Sequence, residues 1–348
     1  MTDTTSATEQ RAVVLTAPKR FELRKLRTPS PGPDDVVIRV DECGICGSDI
    51  KMYAGTHAFM RPPIVMGHEI AGTISMVGAG VELAEGTPVT VFPPVGCGTC
   101  FHCRSGREQL CEEMEFFGGQ RAGGLASHIV VPASHAVSIP SEVPADLRVL
   151  IEPVSVAVHG VTRGAPALEE RAVVIGAGAI GLFTALILRH LGLQEIVVAE
   201  IDPSRLVRAE RLGFIPVDTS REMLQHAVAR LIRPEGADCV FECAGGQHAI
   251  TSAILATRKG GRTIVVGNAP PTIEIDGLAL QRGDRTIIGV LMYDLADFVT
   301  AMNLLSEGLL DGLTTFEMIS RYTIDHVANA FRDAKSGRLT GLKAVVEL

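Results

Sequence analysis

The 348-residue sequence contains no tryptophan, and only 4% of its residues are aromatic. Stacking platforms for nucleic-acid bases are therefore poorly supplied. The sequence also lacks a block of basic residues. Its 32 basic and 40 acidic side chains give a formal charge of −8 and an isoelectric point near 5.7. Both features argue against nucleic acid or an anionic membrane surface as the main partner.

The N-terminal segment lacks the basic-then-apolar order of a secretory signal. Residues 172–188 approach the length of a membrane span, but they contain three glycines in fixed order, which a buried strand, a turn and a buried helix explain better. We therefore expect a cytoplasmic protein. In that compartment the clustering of four of its eight cysteines favours metal ligands over disulfides.

The chain is long enough for two domains, and its sequence pattern changes along its length. Residues 11–140 are rich in Val, Gly and Pro, and short β-type runs with frequent turn signals predict a β-rich, barrel-like lobe. From residue 171 onward, apolar runs alternate with helix-like stretches. This alternation predicts an α/β domain with a doubly wound parallel sheet.

We predict that the first domain is discontinuous, because a β-type run at residues 343–348 can return to complete it. The predicted domains are residues 1–153 with 291–348, and residues 154–290. The predicted strands of the second domain are 172–176, 196–200, 238–242, 262–267 and 286–290. Examples of its helix-like stretches are 203–212 and 248–258, and another helix-like segment, 294–309, follows the last of these strands.

A glycine motif, Gly176-Ala177-Gly178-Ala179-Ile180-Gly181, lies between the first of these strands and an apolar helix. Because 36 of the 348 residues are glycine, the pattern is weak without that context. In a dinucleotide site, Gly176 permits the tight turn, Gly178 admits the pyrophosphate, and Gly181 allows close helix–strand contact. The helix start at Ala179 and Ile180 offers N–H groups to the phosphates.

Glu200 ends the second predicted strand, 19 residues after Gly181 (200 − 181), close to the ~20 expected of the carboxylate that holds the adenosine ribose. Such a carboxylate repels a 2′-phosphate and favours NAD over NADP; the alternative is a solvated strand end. Arg205 keeps NADP open, because an arginine can accommodate that phosphate. Val266 and Leu291 follow later strands and are expected to line the cofactor groove.

Four cysteines fall within fifteen positions: Cys97, Cys100, Cys103 and Cys111. Zinc in a structural site takes four such thiolates in a closed tetrahedron that leaves no position for substrate. An iron–sulfur cluster is the alternative. The final gap of seven residues and the lack of further local cysteines favour zinc.

A second set of possible metal ligands, Cys46, His68, Glu69 and Glu152, is dispersed, and isolated Cys and His residues are usually structural. Three local motifs raise its significance: GICGSD at 44–49, GHE at 67–69 and EPVSVAVHG at 152–160. With the cysteine cluster and the glycine motif, they make the chain resemble the zinc-dependent medium-chain dehydrogenase/reductase family, which includes alcohol, sorbitol and threonine dehydrogenases. The resemblance extends from residue 11 to the C-terminus.

The resemblance implies a GroES-like catalytic domain, a Rossmann cofactor domain and two zinc ions, one catalytic and one structural. It implies a catalytic zinc held by Cys46, His68 and a carboxylate of Glu69 or Glu152, and the choice between the two glutamates stays open. Zinc polarises the substrate hydroxyl, Ser48 begins a proton relay, and NAD accepts the hydride. Glutamate at position 152, where many alcohol dehydrogenases have cysteine, is similar to the sorbitol branch.

The sequence departs from this pattern at Lys51, where many relatives have a histidine at the outer end of the relay. A lysine titrates near ~10.4 and is a poor base at neutral pH unless desolvated. The other interpretations are that Lys51 contacts an anionic or polyhydroxyl substrate, that protons leave through the ribose hydroxyl and water, or that Lys51 is a solvated surface residue. Further candidates are the aromatic residues Tyr53, Phe59, Phe116 and Phe117 near the substrate, and His159 near the cofactor or in a structural role.

The resulting hypothesis is a zinc- and NAD-dependent dehydrogenase that converts a secondary alcohol or polyol to the ketone. One alternative is an NADPH-linked zinc-dependent carbonyl reductase. Another is a non-catalytic NAD-binding protein, which predicts loss of the zinc ligands. The expected partner besides the small-molecule substrate is a second copy of the chain, in a homodimer or homotetramer, with residues 286–292 as a candidate interface strand.

Overall fold

The computed structural model of the protein describes residues 9–311, 313 and 315–348. Residue contacts divide the chain into two compact units, Met1–Glu152 with Met302–Leu348, and Pro153–Ala301. Within the described ranges, every helix is too short or too polar to cross a bilayer.

The first unit is built mainly from short strands. As far as residue 138 its elements are β1 (Glu9–Ala17), β2 (Arg20–Arg27), β3 (Asp35–Gly44), α1 (Gly47–Ala54), β4 (Ile64–Val65), β5 (Glu69–Val77), β6 (Pro88–Val91), β7 (Pro94–Val95), α2 (Phe101–Arg104), β8 (Glu115–Phe116), β9 (His128–Pro132) and β10 (Ala136–Ser138).

Helices and strands then alternate, as the sequence predicts. The elements are α3 (Ile151–Gly164), β11 (Ala172–Ile175), α4 (Ala179–His190), β12 (Ile196–Glu200), α5 (Pro203–Arg211), β13 (Ile215–Asp218), α6 (Leu224–Leu231), β14 (Ala237–Glu242), α7 (Gln247–Ala256), β15 (Thr257–Val265), α8 (Gly277–Arg282), β16 (Thr286–Gly289) and α9 (Leu295–Ser306). The chain ends with α10 (Thr315–Met318), β17 (Ile319–Thr323), α11 (Val327–Ser336) and β18 (Lys343–Glu347).

The main sheet of the first unit has seven strands in the order β10-β6-β5-β3-β18-β17, and β9 also pairs with β3. The C-terminal strand β18 pairs antiparallel with β3, with Val345 opposite Gly44. On its other side β3 pairs with β5, with Gly44 opposite Glu69. The C-terminal strand therefore lies in the main sheet of the first unit, and three adjacent strands meet around Gly44.

The second unit contains a six-stranded parallel sheet in the order β13-β12-β11-β14-β15-β16. All four residues of β11 are buried, as expected for a central parallel strand that is covered on both faces. The doubly wound sheet predicted from the sequence is confirmed. The strand order reverses beside β11, and ligands of open α/β sheets bind at such a switch point, outside the carboxyl ends of the strands.

Two details of this unit differ from the prediction. The sequence analysis missed β13, which contains Pro216; β13 is an edge strand, where proline is tolerated. Thr257, expected inside a helix, instead begins β15 and pairs with Ala237. Its hydroxyl lies 2.8 Å from that of Thr263, a buried contact that α-helical periodicity does not reveal.

Candidate functional site

Three potential metal ligands come together where β3, α1 and β5 meet. Cys46 precedes α1, and its backbone N–H donates to the Asp49 carboxylate at 2.9 Å, a bond that fixes the first turn of that helix. His68 and Glu69 stand at the start of β5 and are 5% and 1% exposed. The Cys46 sulfur, a His68 ring nitrogen and a Glu69 carboxylate oxygen all lie within 4.8 Å of one another.

Polar atoms around this triad are buried without a hydrogen-bond partner among the described residues: Oδ1 of Asp49, Nδ1 of His68 and Oε2 of Glu69. Asp49 Oδ1 and His68 Nδ1 are 3.8 Å apart, too far for a hydrogen bond. Unpaired buried polar groups are costly, and a cation would compensate them. One sulfur, one nitrogen and one oxygen donor make a ligand set that catalytic zinc accepts, with a fourth position left open. The residues therefore fit a zinc ion.

The charges around the triad are strongly coupled. Burial acts to lower the pKa of His68, but Asp49, Cys46 and Glu152 together raise it well above its ordinary value. Burial has the opposite effect on the Asp49 carboxyl group, whose pKa it raises. These opposing effects arise because acidic groups are packed around one buried imidazole with little access to water.

Glu152 and Ser48, the other predicted participants, belong to the same unit as the triad. Glu152 is the second residue of α3 and is 4% exposed, and its charge contributes to the pKa of His68. Its oxygens fall outside the group of three mutually close donors. Ser48 is the second residue of α1 and is half-buried, whereas Lys51 on the same helix is exposed. Helix α3 was not anticipated from the sequence.

The four aromatic candidates separate in the structure. The Phe116 ring lies edge-on to the His68 imidazole, with 5.8 Å between centroids. Tyr53 instead stacks within an aromatic cluster of the core, and Phe117 is buried. Phe59 is 81% exposed. Of the four, Phe116 is the one beside the triad.

The predicted cysteine cluster forms a second group of potential ligands. The sulfur atoms of all four residues lie within 4.8 Å of one another, and they belong to Cys97, Cys100, Cys103 and Cys111. Backbone N–H groups of Cys97, Cys100 and Cys103 donate to sulfur atoms of the cluster, each at 3.4 Å. Hydrogen bonds from Thr99 lower the pKa of Cys97 to about 6, whereas desolvation raises the pKa of Cys103 to about 12. Four converging sulfurs fit a closed structural zinc site.

The glycine motif has the geometry expected of a dinucleotide loop. Gly176 follows β11 with φ +95°, and a Cβ there would lie 3.1 Å from Ala244. Gly178 has open space where its Cβ would be, which leaves room for a phosphate. A Cβ on Gly181 would overlap the Gly176 carbonyl oxygen. Helix α4 begins at Ala179, and its first N–H groups are free of intrahelical partners, as in every helix.

Substituting Gly181→Ala is therefore expected to push α4 away from β11. We expect a loss of about 1–3 kcal/mol in the free energy of unfolding and at least about tenfold weaker dinucleotide binding, because the N–H groups no longer converge on the phosphates. Thermal unfolding and titration with NADH measure the two effects. Gly277→Ala is the matched control, since a Cβ there meets open space; equal effects of the two substitutions would contradict the assigned role.

Glu200 is the last residue of β12, and its side chain contacts the glycine loop and is buried, with 8% of the residue exposed. Its Oε2 accepts the N–H of Ala177 at 2.9 Å, and its Oε1 accepts the N–H groups of Ile201 and Asp202. Arg205 Nη1 lies 3.6 Å from Glu200 Oε2 and is 40% exposed. Glu200, which favours NAD, and Arg205, which keeps NADP open, therefore form one pair.

The remaining cofactor candidates stand at the carboxyl edge of the same sheet. Val266 follows β15 and its N–H donates to the Glu242 carbonyl at 2.8 Å. Leu291 follows β16 and is 51% exposed. The sequence analysis missed Glu242 itself, which ends β14 fully buried and accepts the N–H groups of Ala244 and Gly245. Burial raises the pKa of Glu242. A charged residue ending an apolar run just before a Gly-Gly turn was the available signal.

His159 has a structural partner within the second unit. Its Nδ1 lies 2.5 Å from an oxygen of Asp297, whose other oxygen accepts the Thr162 hydroxyl at 3.1 Å. Asp294 accepts the N–H of Asp297 at 3.0 Å, an interaction typical of a helix start. These bonds join α3 to α9, so of the two predicted roles for His159 the observed contacts support the structural one.

Comparisons with known proteins agree with this arrangement. The profile described as "Alcohol dehydrogenase GroES-like domain" matches residues 32–141, and "Zinc-binding dehydrogenase" matches residues 179–307. The chain is 34% identical to an L-idonate 5-dehydrogenase from Vitis vinifera and 34% identical to a sorbitol dehydrogenase from Arabidopsis thaliana. Each match covers 82% of this chain and 81% of the relative.

Solved structures show the same fold over almost the whole chain. A zinc-binding dehydrogenase from Sinorhizobium meliloti 1021, bound to NADP, is 28% identical with a TM-score of 0.90, covering 98% of this chain and 100% of that one. An alcohol dehydrogenase from E. coli CFT073, complexed with NADH, is 26% identical with the same TM-score and the same coverage.

The chain belongs to the zinc-dependent medium-chain dehydrogenase family. It is an oxidoreductase of the alcohol and polyol dehydrogenase type, with a GroES-like domain and a Rossmann-type domain.

Proposed function

We propose that the protein is a zinc- and NAD-dependent dehydrogenase that oxidises a secondary alcohol or polyol to the ketone. The observation that carries this proposal is the triad of Cys46, His68 and Glu69, whose donor atoms lie close together and whose His68 and Glu69 side chains each contain a buried atom lacking a partner among the described residues. The names of the relatives, an idonate and a sorbitol dehydrogenase, support a polyhydroxyl substrate. The proposed catalytic domain is residues 1–153 with 291–348, and the cofactor domain is 154–290.

Each nearby side chain has a definable task in this proposal. Zinc supplies Lewis-acid polarisation of the substrate hydroxyl, and NAD supplies the hydride acceptor. Cys46, His68 and Glu69 are the proposed resident ligands, and Asp49 holds the backbone of Cys46 by accepting its N–H. Ser48 accepts the hydroxyl proton and passes it outward.

Glu152 and Lys51 complete the proposed catalytic surroundings. We assign Glu152 as the alternative carboxylate ligand, because it is buried and its charge acts on His68. Lys51 is exposed on the helix that carries Ser48, where it can contact a polar substrate or a water molecule that takes up the departing proton.

Two zinc ions per chain are proposed, one at the triad and one at the four-cysteine cluster. The test is to measure zinc per chain together with NAD reduction across polyols, amino alcohols and simple secondary alcohols. Two zincs and NAD-linked turnover on one substrate class are expected. Faster ketone reduction with NADPH would favour the carbonyl reductase instead. A single zinc without turnover would favour a non-catalytic NAD-binding protein.

The proposed preference for NAD rests on the Glu200 carboxylate, which would repel a 2′-phosphate. Glu200→Gln keeps an acceptor for the Ala177 N–H while removing the charge, and Arg205 then faces the phosphate uncompensated. We expect the ratio of kcat/KM for NAD to that for NADP to fall about 100-fold, equivalent to about 2.7 kcal/mol.

Glu222→Gln is the control for this substitution, since Glu222 also pairs with an arginine, Arg230, at the surface. It is expected to leave the cofactor ratio unchanged. If Glu200→Gln likewise leaves the ratio unchanged, Glu200 does not select the cofactor.

We further propose that copies of the chain associate as a homodimer or homotetramer. Strand β16 is the last in its sheet and pairs on one side with β15, and its residues are exposed or half-buried. A sheet edge of this kind can pair with another copy. The free state of all eight cysteines is consistent with a reducing compartment, and we assign the protein to the cytoplasm.

A further inference from the structure

Lys343 is a buried lysine in a position that packing alone does not explain. The sequence has six lysines, and the other five, Lys19, Lys25, Lys51, Lys259 and Lys335, are exposed. Lys343 is 6% exposed at the start of β18, where the next three residues are apolar and buried. Burying an ammonium group costs several kcal/mol unless it is paired, so its partners indicate its purpose.

Among the described residues the Lys343 ammonium donates to two partners, one directly before a ligand of the candidate metal site and one in it. It donates to the backbone carbonyl of Ile45 at 3.0 Å, directly before Cys46. It also donates to Oε1 of Glu69 in a short ion pair. One cation therefore ties together the backbone that carries one ligand and the side chain that supplies another.

The strand arrangement explains why this contact forms. Gly44 on β3 lies opposite Glu69 on β5 and opposite Val345 on β18. The missing side chain at Gly44 makes room for Glu69, because a Cβ there would overlap Glu69 Oε2. With Oε1 held by Lys343, Oε2 is the Glu69 oxygen that lacks a partner among residues 9–311, 313 and 315–348.

We propose that Lys343 is a positioning residue of the metal site: it holds Oε1 of Glu69 so that the carboxylate offers Oε2 alone to the metal. This inference rests on the proposed zinc site. Ligation through one oxygen keeps the position that the substrate oxygen needs free of protein ligands. Without the clamp, the Glu69 side chain can rotate and offer both oxygens, or neither.

Positioning and charge predict opposite effects on metal affinity. The positive charge of Lys343 alone repels a cation, so its removal would tighten metal binding. Pre-organisation of Glu69 favours binding, so its loss would weaken it. Partners behind metal ligands typically contribute 10–100-fold to metal affinity, and we expect positioning to dominate.

The test uses the full-length protein with its four-cysteine site filled. The affinity of the second site for Zn²⁺ is measured by competition with a chromogenic chelator, and its coordination by the absorption spectrum of bound Co²⁺. Lys343→Met is expected to weaken Zn²⁺ binding at least about tenfold and to alter the Co²⁺ spectrum. Lys343→Arg, which keeps the charge and the donors, should restore both. Lys343→Gln, which keeps one donor, replaces the methionine variant if circular dichroism shows that the latter is unfolded.

Two controls separate this inference from the proposed function. Lys25→Met removes an exposed ion pair with Glu9 and should leave metal affinity unchanged. In a Glu69→Ala background, Lys343→Met should have no further effect on affinity, because the lysine acts through Glu69. Unchanged or tighter metal binding by Lys343→Met, with an unchanged Co²⁺ spectrum, would overturn the inference. If Cys46→Ala loses no metal, the proposed zinc site itself fails.

Discussion

Replacing Cys46 with alanine is expected to remove one zinc ion per chain and to lower kcat/KM at least about 1,000-fold, equivalent to about 4 kcal/mol. The Cys46 thiol is one of three converging donors, and His68 and Glu69 alone leave a zinc ion short of ligands. Polarisation of the hydroxyl by a metal contributes several kcal/mol to such reactions. Metal analysis and steady-state kinetics on the same preparation measure both losses.

The matched control for this substitution is Cys43→Ala. Cys43 is a fully buried thiol three residues earlier, and burial raises its pKa well above the ordinary value, so it behaves as a neutral core residue. This variant should keep both zinc ions. Retention of both zinc ions and full activity by Cys46→Ala would remove Cys46 from the site.

A second large effect is expected at the four-cysteine cluster. Cys103→Ser should release the other zinc ion and lower the free energy of unfolding by about 4 kcal/mol or more, because loss of a structural metal is among the most destabilising changes. The cluster joins a loop with only short elements, α2 and the 3₁₀ turn Glu108–Leu110. Thermal unfolding and metal analysis provide the measurement.

Cys243→Ser is the control for the cluster, since Cys243 lies outside it in the second unit. It should change the free energy of unfolding by less than about 1 kcal/mol and leave the zinc content unchanged. If Cys103→Ser retains both zinc ions, or if its stability equals that of Cys243→Ser, the cluster is not a structural metal site.

Sequence reasoning works well here where the interacting residues are close along the chain. The cysteine cluster spans fifteen positions, and the glycine motif is a single turn between a strand and a helix, so the local sequence identifies both. The Cys46–Asp49 hydrogen bond is equally local, because it spans three residues. In each case backbone geometry over one or two turns determines which atoms meet.

The sequence is least informative where the contacts depend on strand pairing. Lys343 is 274 residues from Glu69, and the two meet because β18 and β5 flank β3. The choice between Glu69 and Glu152 likewise depends on where β5 and α3 place two carboxylates. Register and the order of strands decide both, and neither can be read from residue spacing.

The central claim is that Cys46, His68 and Glu69 bind the zinc ion that acts on the substrate. An anomalous difference map at the zinc absorption edge, from crystals of the zinc-loaded protein, tests it most directly. The account predicts two peaks per chain, one bonded to Cys46, His68 and Glu69 and one among the four cysteines. A single peak at the four-cysteine cluster, from protein that still reduces NAD at full rate, would contradict it.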